Sequence, residues 1–269
     1  MPRIPVSTGV ELNYETAGDG DPLLMIMGTS GAIPLWGELA HRLAQTHRVI
    51  TVDNRGLGGS DRGSGPITVG SMAADTSALL DALEIPRAHL LGWSLGSAVA
   101  QEMALARPEQ VASQVLYGTW GRTDGFQRAV LTALRLPYVH RDMESALAAS
   151  GLAFSPQALD DPNVGALLEA LLPAFPQDEA QMQVTVEQWD ADLVHDTLDR
   201  LDAITAPTLV VVGEQDLLTP HWQSRAVAER IPGARFELVT GPGSSHCMHL
   251  ERPEDLTKLV TGFLGEQRI

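Results

Sequence analysis

The sequence predicts an α/β fold, with a mostly parallel central sheet that is flanked by helices and carries a helical cap insertion. Short apolar runs bounded by turn residues alternate with longer stretches of helical periodicity, which is the pattern of strands joined by crossover helices. The apolar runs are nearly continuous, as expected for strands buried on both faces. Between residues 121 and 205 the strand pattern stops and only helical spacing continues.

The strands and helices of the core can be placed from these runs. The first strand alternates polar and apolar residues, which is typical of an antiparallel strand, and the later strands are expected to be buried. The expected strands cover residues 10–16, 23–27, 49–53, 89–93, 111–117, 208–212 and 236–239. Ser71 and Pro253 suit the starts of two helices. The expected helices cover residues 35–45, 71–83, 94–106, 222–230 and 253–263.

The segment from Gly121 to about Thr205 is predicted to be an all-helical cap. Leu, Ala and Met recur there at helical spacing among Asp, Glu, Gln and five prolines. Since strands resume at Thr208 with the same apolar character, the segment is expected to lie on top of one continuous sheet. The prediction is a core of residues 1–120 and 206–269 with a cap of residues 121–205.

Composition excludes several classes of partner. The chain has 18 Lys plus Arg against 34 Asp plus Glu, a net charge of −16, so nucleic acids and anionic membrane surfaces are not expected to bind. Cys247 is the only cysteine, which rules out an intrachain disulfide and a multi-thiolate metal site. Without a signal-like or membrane-length apolar run, the chain is expected to be soluble and cytoplasmic.

Residues 92–96 read Gly-Trp-Ser-Leu-Gly, a G-x-S-x-G pentapeptide between an expected strand and an expected helix. This is the context of a nucleophile elbow, in which flanking glycines allow a sharp turn that exposes a strained serine above the sheet. Ser94 is therefore the candidate nucleophile. The alternative is an ordinary N-cap serine in a glycine-rich turn.

A serine hydroxyl needs a base, and the base needs an acceptor that fixes its tautomer. Asp216 follows the expected strand at 208–212, and His246 follows the strand at 236–239. Because sites in α/β sheets assemble at the carboxyl ends of the strands, Asp216 and His246 are the candidate acid and base.

On these residues the chain resembles the α/β-hydrolase superfamily over essentially its whole length. The order Ser94, Asp216, His246 is that of the elbow-type hydrolases. The residues 53–60, Asp-Asn-Arg-Gly-Leu-Gly-Gly-Ser, are similar to the family's D-x-R-G-x-G-x-S turn. The acid loop at 213–220 and the H-x4-E-x-P pattern from His246 to Pro253 are also similar to those of the family.

Three other residues compete for the roles of acid and base. Asp124 lies after the strand at 111–117, where some relatives place the acid, and Glu214 lies two residues before Asp216. The family pattern nevertheless matches Asp216. His249 rivals His246, but it is expected to pack near the start of the last helix. The remaining histidines show no metal-ligand spacing.

An oxyanion formed by attack of Ser94 requires two preorganised donors. One is expected to be the backbone N–H of Leu95, the residue after the nucleophile. The resemblance places the other at Thr29, in the loop after the strand at 23–27. Many relatives have His-Gly where this chain has Met27-Gly. A Met-Gly pair at this position resembles the corresponding pair of some polyketide-tailoring hydrolases.

Four tryptophans are expected to form apolar walls of a substrate cleft. They are Trp36, Trp93, Trp120 and Trp189, which flank the oxyanion loop, the elbow, the strand before the cap and the cap itself. Such walls suit an apolar or aromatic substrate. The alternative is that they are core or cap-docking residues.

The predicted function is hydrolysis of a carboxylic ester or lactone with an apolar or aromatic part, through a Ser-His-Asp triad and without a metal or organic cofactor. The partner is then a small-molecule substrate. The same machinery also serves carbon-carbon bond hydrolases, lyases and cofactor-free oxygenases. A non-catalytic ligand receptor on the same fold is the rival from another class.

Overall fold

The computed structural model describes residues 2–267, and within them eight strands form one sheet. The strands are β1 (Arg3–Pro5), β2 (Glu11–Ala17), β3 (Pro22–Ile26), β4 (Arg48–Val52), β5 (Ala88–Trp93), β6 (Val111–Tyr117), β7 (Thr208–Gly213) and β8 (Arg235–Val239). Their order is β1-β2-β4-β3-β5-β6-β7-β8. β1 pairs with β2, and β2 with β4, in antiparallel fashion, and the pairs from β4 to β8 are parallel. The predicted fold class and the antiparallel first strand are confirmed.

Helices fill the connections between strands. They are α1 (Gly37–Leu43), α2 (Val69–Ala82), α3 (Leu95–Ala106), α4 (Gly125–Val139), α5 (Met143–Ser150), α6 (Pro156–Leu159), α7 (Val164–Leu171), α8 (Glu179–Val194), α9 (His221–Arg230), α10 (Met248–Glu251) and α11 (Pro253–Leu264). Short 3-10 turns precede α1 and connect several of the others. Among the residues that the structure describes, no helix is long and apolar enough to cross a membrane.

The order of the strands reverses at β3, which lies between β4 and β5. Leu24 of β3 is opposite Ile50 of β4 on one side and Leu90 of β5 on the other. The loops that leave the carboxyl ends of β3 and β5 therefore start side by side. In open α/β sheets a ligand site is expected at such a reversal.

The sheet separates two hydrophobic cores. Leu24 and Ile26 of β3 pack into one of them, and Leu23 and Met25 pack into the other. Successive side chains of a strand point to opposite faces, so a strand with a core on each side requires apolar residues at every position. This is why these strands appear in the sequence as unbroken apolar runs.

The start of α2 differs from the prediction. Thr68 is the N-cap, and its hydroxyl oxygen accepts a hydrogen bond from Ser71 N at 3.0 Å while Thr68 N donates to Ser71 Oγ at 2.9 Å. Ser71 thus takes the position that Glu or Gln has in most capping boxes. The edge strand β1 is absent from the prediction, because three residues are too few for a periodic pattern.

Helices α4 to α8 connect β6 to β7, which are neighbours in the sheet. Arg122 and Asp196 form an isolated bridge that joins the two ends of this connection. Within it, Arg135 Nε of α4 lies 2.8 Å from Asp190 Oδ1 of α8. We call residues 121–205 the cap. The helical content agrees with the sequence, and the division into core and cap domains stays a prediction.

Candidate active site

Ser94 lies at the sharp turn between β5 and α3. Its backbone has φ 54° and ψ −123°, a conformation that costs a non-glycine residue about 1–3 kcal/mol and recurs at functional sites. Ser94 N donates to Tyr117 O at 2.9 Å, so the turn is fixed to the neighbouring strand β6. The turn places Ser94 at the N-terminus of α3, where the helix dipole favours negative charge.

Both glycines of the pentapeptide are required by close backbone contacts. A Cβ on Gly96 would lie 1.9 Å from the carbonyl oxygen of Ile26, at the end of β3. A Cβ on Gly92 would lie 2.3 Å from the carbonyl oxygen of Gly96. Neither distance is possible for a real side chain, so the strand-to-helix turn closes only with glycine at both positions.

His246 and Asp216 form a buried hydrogen-bonded pair. His246 Nδ1 lies 2.8 Å from Asp216 Oδ2, and the two residues are 2% and 3% exposed. Asp216 Oδ1 accepts hydrogen bonds from the backbone N–H groups of Leu218 and Thr219 at 2.9 and 2.8 Å. Because Nδ1 is occupied by the carboxylate, Nε2 is the ring nitrogen left for proton transfer.

The backbone around His246 is fixed by aromatic side chains below it. Trp93 Nε1 donates to His246 O at 3.0 Å, and Tyr117 Oη donates to the same oxygen. The Trp93 ring lies 5.3 Å from the His246 ring, centroid to centroid. Trp93 therefore connects the elbow directly to the histidine loop.

Gly118 is a site residue that the sequence analysis did not identify. It follows β6 with φ 58°, and a Cβ there would lie 3.2 Å from His246 Cε1 and 3.3 Å from Asp216 Oδ2. A side chain at this position would press on the histidine and the carboxylate. The only sequence feature that marks it is a glycine at the end of a buried strand.

Glu251, the glutamate of the H-x4-E-x-P pattern, joins the histidine loop to the cap. Its carboxylate accepts hydrogen bonds from Ser155 N at 3.0 Å and from the hydroxyls of Ser155 and Ser245. Ser155 is the N-cap of α6, and Ser245 precedes His246. Glu251 thus fixes the backbone next to His246 through its hydrogen bond with Ser245.

The loop after β3 packs directly against Ser94. A Cβ on Gly28 would lie 3.1 Å from Ser94 Cβ. Thr29, the residue after Gly28, lines the same cavity as Ser94, and Leu95 is the first residue of α3. The oxyanion roles of Thr29 and Leu95 stay a prediction. The loop is fixed by the carboxylate of Asp53, which accepts from Ile33 N at 2.7 Å.

The rival residues have other surroundings. Asp124 is the N-cap of α4, where Oδ1 accepts from Gln127 N at 2.8 Å. Glu214 is exposed and accepts from Gly241 N at 3.1 Å. His249 is fully buried with its ring centroid 4.3 Å from that of Trp93, and burial together with His246 lowers its pKa to about 3.

A cavity lies above Ser94, between the sheet and the cap. Apart from His246, neither acidic nor basic side chains occur among the described residues of its wall. The wall consists of Thr29, Ser30, Leu35, Trp93, Ser94, Leu134, Tyr138, Ala146, Ser150, Ala153, Phe154, Phe175, Trp189, Leu218, His246 and Cys247. The cap supplies half of them, from Leu134 to Trp189. Sequence reasoning missed most of these, because helical periodicity alone does not show which side of a helix faces a cavity.

Two of the four expected wall tryptophans line this cavity. Trp93 and Trp189 do so, and both are more than nine-tenths buried. Trp36 and Trp120 do not line it, contrary to the sequence-based expectation. Trp36 packs against the rings of Trp93 and His249, and Trp120 packs in the other core with its ring 5.4 Å from that of His195.

Cys247 also lines the cavity, next to His246. It is fully buried, and burial followed by the nearby carboxylates of Glu251 and Asp216 raises its pKa well above its usual value. A thiol in this state is a poor nucleophile. The residues that the structure describes include no group of three or more His, Cys, Asp or Glu placed to hold a metal ion.

Comparison with known proteins agrees with this architecture. Residues 21–253 match the model of the alpha/beta hydrolase fold family. The chain is 32% identical to a putative carbamate hydrolase, RutD, of Azorhizobium caulinodans, covering 95% of this chain and 96% of that protein. It is also 32% identical to a putative non-heme bromoperoxidase, BpoC, of Mycobacterium tuberculosis, covering 95% and 98%.

A solved structure, an esterase from Exiguobacterium antarcticum, superposes with a TM-score of 0.84 at 25% identity and covers 98% of each chain. The family match covers residues 21–253, which include the elbow and most strands of the sheet. This chain belongs to the α/β-hydrolase fold family.

Proposed function

We propose that this protein is a serine hydrolase that cleaves an uncharged carboxylic ester or lactone with an apolar or aromatic part. Ser94 is the nucleophile, His246 the general base and then general acid, and Asp216 the acceptor that orients His246. The backbone N–H groups of Thr29 and Leu95 are the oxyanion donors. No cofactor is part of this proposal.

One observation carries the proposal. The imidazole of His246 is bonded to Asp216 through Nδ1 at 2.8 Å, and it lines one cavity together with Ser94, which the backbone holds in a strained conformation. A strained serine that shares a cavity with an oriented imidazole supports nucleophilic acyl transfer.

In the proposed reaction, Ser94 Oγ attacks the carbonyl carbon while its proton passes to His246 Nε2. The carbonyl oxygen takes up negative charge and is stabilised by the N–H groups of Thr29 and Leu95. The carbon–oxygen bond of the ester then breaks, and His246 returns the proton to the leaving alcohol. Water, activated by the same imidazole, hydrolyses the acyl-enzyme and restores Ser94.

The cavity wall supports the choice of an uncharged substrate. Leu134, Phe154, Phe175, Trp189 and Leu218 present apolar surface to the space above Ser94. An ionised group would lose its hydration there without gaining an opposite charge. The hydroxyls of Ser30, Ser150 and Tyr138 provide a few polar contacts that can orient a neutral substrate.

The test is covalent labelling followed by turnover. A fluorophosphonate probe is expected to label the protein once, at Ser94, as mapped by mass spectrometry, and a p-nitrophenyl ester is expected to turn over many times. Ser94→Ala should abolish both. Labelling at another residue, or full activity in Ser94→Ala, contradicts the proposal, and binding without multiple turnovers indicates a receptor instead of an enzyme.

Carbamate hydrolysis is the second candidate, because the relative from A. caulinodans is a putative carbamate hydrolase at 32% identity over 95% of this chain. A carbamate and an ester pass through similar tetrahedral intermediates. Comparing kcat/KM for an aryl carbamate and for the matching aryl acetate separates the two candidates. A higher value for the carbamate would replace the ester assignment.

A further inference from the structure

Helix α8 of the cap binds the oxyanion loop, residues 28–32, through two side chains one helical turn apart. Thr29 Oγ1 donates to Asp192 Oδ2 at 2.6 Å. Ser30 N donates to Gln188 Oε1 at 2.9 Å. Both polar side chains lie on the buried side of α8, with Asp192 1% and Gln188 0% exposed. The loop is therefore held by the cap as well as by the sheet.

The environment of Asp192 is unusual for a carboxyl group. Its other oxygen, Oδ1, is buried and has no hydrogen-bond partner among the residues that the structure describes. By contrast, the buried Asp75 forms a two-point ion pair with the guanidinium of Arg55. A buried acid with one hydroxyl as its partner costs stability, so its presence calls for a functional reason.

We propose that Asp192 is a positioning residue, which holds the oxyanion loop in its working geometry through the hydroxyl of Thr29. This inference rests on the proposed function, because it concerns the donor that Thr29 supplies to the oxyanion. Asp192 itself does not line the cavity that contains Ser94 and His246. It acts through Thr29, whose side chain it fixes and whose backbone N–H must point at the reacting oxygen.

The protonation state of Asp192 determines whether this arrangement works. Burial raises its pKa to about 8, and the hydrogen bond from Thr29 opposes this shift only in part. At pH 7 most of the Asp192 carboxyl is therefore protonated. Once ionised, it would place a negative charge in contact with the residue that must stabilise an oxyanion. Activity is expected to fall as the pH rises through about 8.

Other titratable groups near the site do not produce the same change. Burial raises the pKa of Tyr138, on α4, and raises that of Cys247 well above its usual value. His195, just after α8, has its pKa lowered to about 4 by burial. The Arg135–Asp190 pair lies on the outer side of α4 and α8.

The experiment compares kcat and KM from pH 6 to 9.5 in four variants with an ester that is stable to base. Asp192→Asn mimics the neutral acid and keeps an acceptor for Thr29. It is expected to keep kcat at pH 7 within about 3-fold and to lack the alkaline fall, whereas wild-type kcat should drop about 10-fold or more by pH 9.5. Asp192→Leu and Thr29→Val are expected to lower kcat about 10-fold or more with little change in KM.

Thr185→Val is the matched control, because Thr185 is a buried hydroxyl on the same helix that bonds only to its own helix, at Gln181 O, among the residues described. Its kcat and pH profile are expected to be those of the wild type. If Thr185→Val lowers kcat as much as Asp192→Leu, or if Asp192→Asn keeps the alkaline fall, the positioning role is wrong. Should Asp192→Leu not fold, Asp192→Asn and Thr29→Val still decide.

A stability measurement reports on Asp192 without reference to activity. Its pKa is higher in the folded protein than in the unfolded chain, so the wild type loses stability from about pH 4 to about pH 8 relative to Asp192→Asn. The melting temperature of Asp192→Asn should therefore rise relative to the wild type over this range. A constant difference contradicts the inference. Ester turnover that persists in Ser94→Ala would instead overturn the proposed function alone.

Discussion

At the scale of single residues, two histidines three positions apart in the chain have very different surroundings. His246 is bonded to a carboxylate and lines the cavity. His249 packs among the rings of Trp36, Trp93 and Tyr117, and neither of its ring nitrogens makes a hydrogen bond of normal geometry within the described residues. A ring in this environment stays neutral and serves as an aromatic core residue.

The difference gives a prediction about the base. His246→Ala should lower kcat by about 10³-fold or more, as loss of a triad member generally does. His249→Gln, which leaves the Asp216–His246 pair in place, should cost less than about 10-fold in kcat. Steady-state kinetics with a p-nitrophenyl ester measure both. The reverse ranking would show that His249 is the base.

The acid gives a second prediction at this scale. Asp216→Asn removes the negative acceptor of His246 Nδ1, and the cost in kcat is expected to approach about 10⁴-fold. Asp124→Asn is the matched control, because Asp124 caps α4 and its Oδ2 accepts from Trp222 Nε1 at 3.1 Å. The control should keep kcat within about 3-fold. A large loss in Asp124→Asn would place the acid after β6 instead.

Among the structural elements, the elbow is shaped by backbone contacts, whereas the cap contributes to the cavity through side chains. The elbow is set by contacts between three backbone segments, β3, β5 and α3, which only glycine permits. The cap face of the cavity is set by side chains that point inward from helices, such as Leu134 of α4 and Trp189 of α8. We therefore expect changes in the elbow to affect chemistry and changes in the cap to affect selectivity.

Trp189→Ala tests the role of the cap. The indole lines the cavity with its Nε1 unbonded within the described chain, so it acts as an apolar wall. Since one methylene in an apolar pocket is worth about 10- to 200-fold in kcat/KM, the ratio of a bulky aromatic ester to an acetate ester should change about 10-fold or more. Trp222→Ala, at the exposed start of α9, is the control.

The test of Trp189 depends on the ratio of kcat/KM for the aromatic ester to kcat/KM for the acetate ester, and total activity does not decide it. An equal loss for both esters in Trp189→Ala, at unchanged stability, would show that the indole is no selectivity wall. Trp222→Ala should leave the ratio as in the wild type, because Trp222 is 46% exposed and outside the cavity.

At the scale of the whole molecule, buried neutral histidines make stability depend on pH. Burial lowers the pKa of His89 and His195 to about 4 and that of His249 to about 3. In the unfolded chain a histidine binds its proton near pH 6.5. As the pH falls below about 6.5, the unfolded state takes up protons that the folded state does not, so the folded state loses stability.

His249→Phe isolates one of these contributions. The variant keeps an aromatic ring in the core and cannot be protonated. Its free energy of unfolding, from urea denaturation, should rise relative to the wild type by up to about 1.4 kcal/mol per pH unit as the pH falls from about 6 to about 4. His221→Phe, on the exposed start of α9, is the control and should show no such trend. If the free energy of unfolding of His249→Phe and of the wild type changed with pH in parallel, the inference that His249 is neutral in the folded protein would be wrong.

Local sequence patterns predict the fold class, most of the core strands and helices, and the candidate residues at the ends of strands. Apolar runs and helical periodicity reflect burial that is local to one element, and G-x-S-x-G reflects a turn within five residues of chain. Helix α2 begins at Val69, two residues before the expected start at Ser71, since Ser71 and Thr68 are both good capping residues and only the observed hydrogen bonds distinguish them.

Which side chains meet across the chain depends on tertiary packing. Trp36 and Trp189 are equally apolar in sequence, but only Trp189 lines the cavity. Thr29 and Asp192 are separated by 163 positions, and no pattern in either segment predicts their hydrogen bond. Contacts of this kind depend on how helices of the cap lie on the sheet, and that packing is set by the sum of many weak interactions between distant segments.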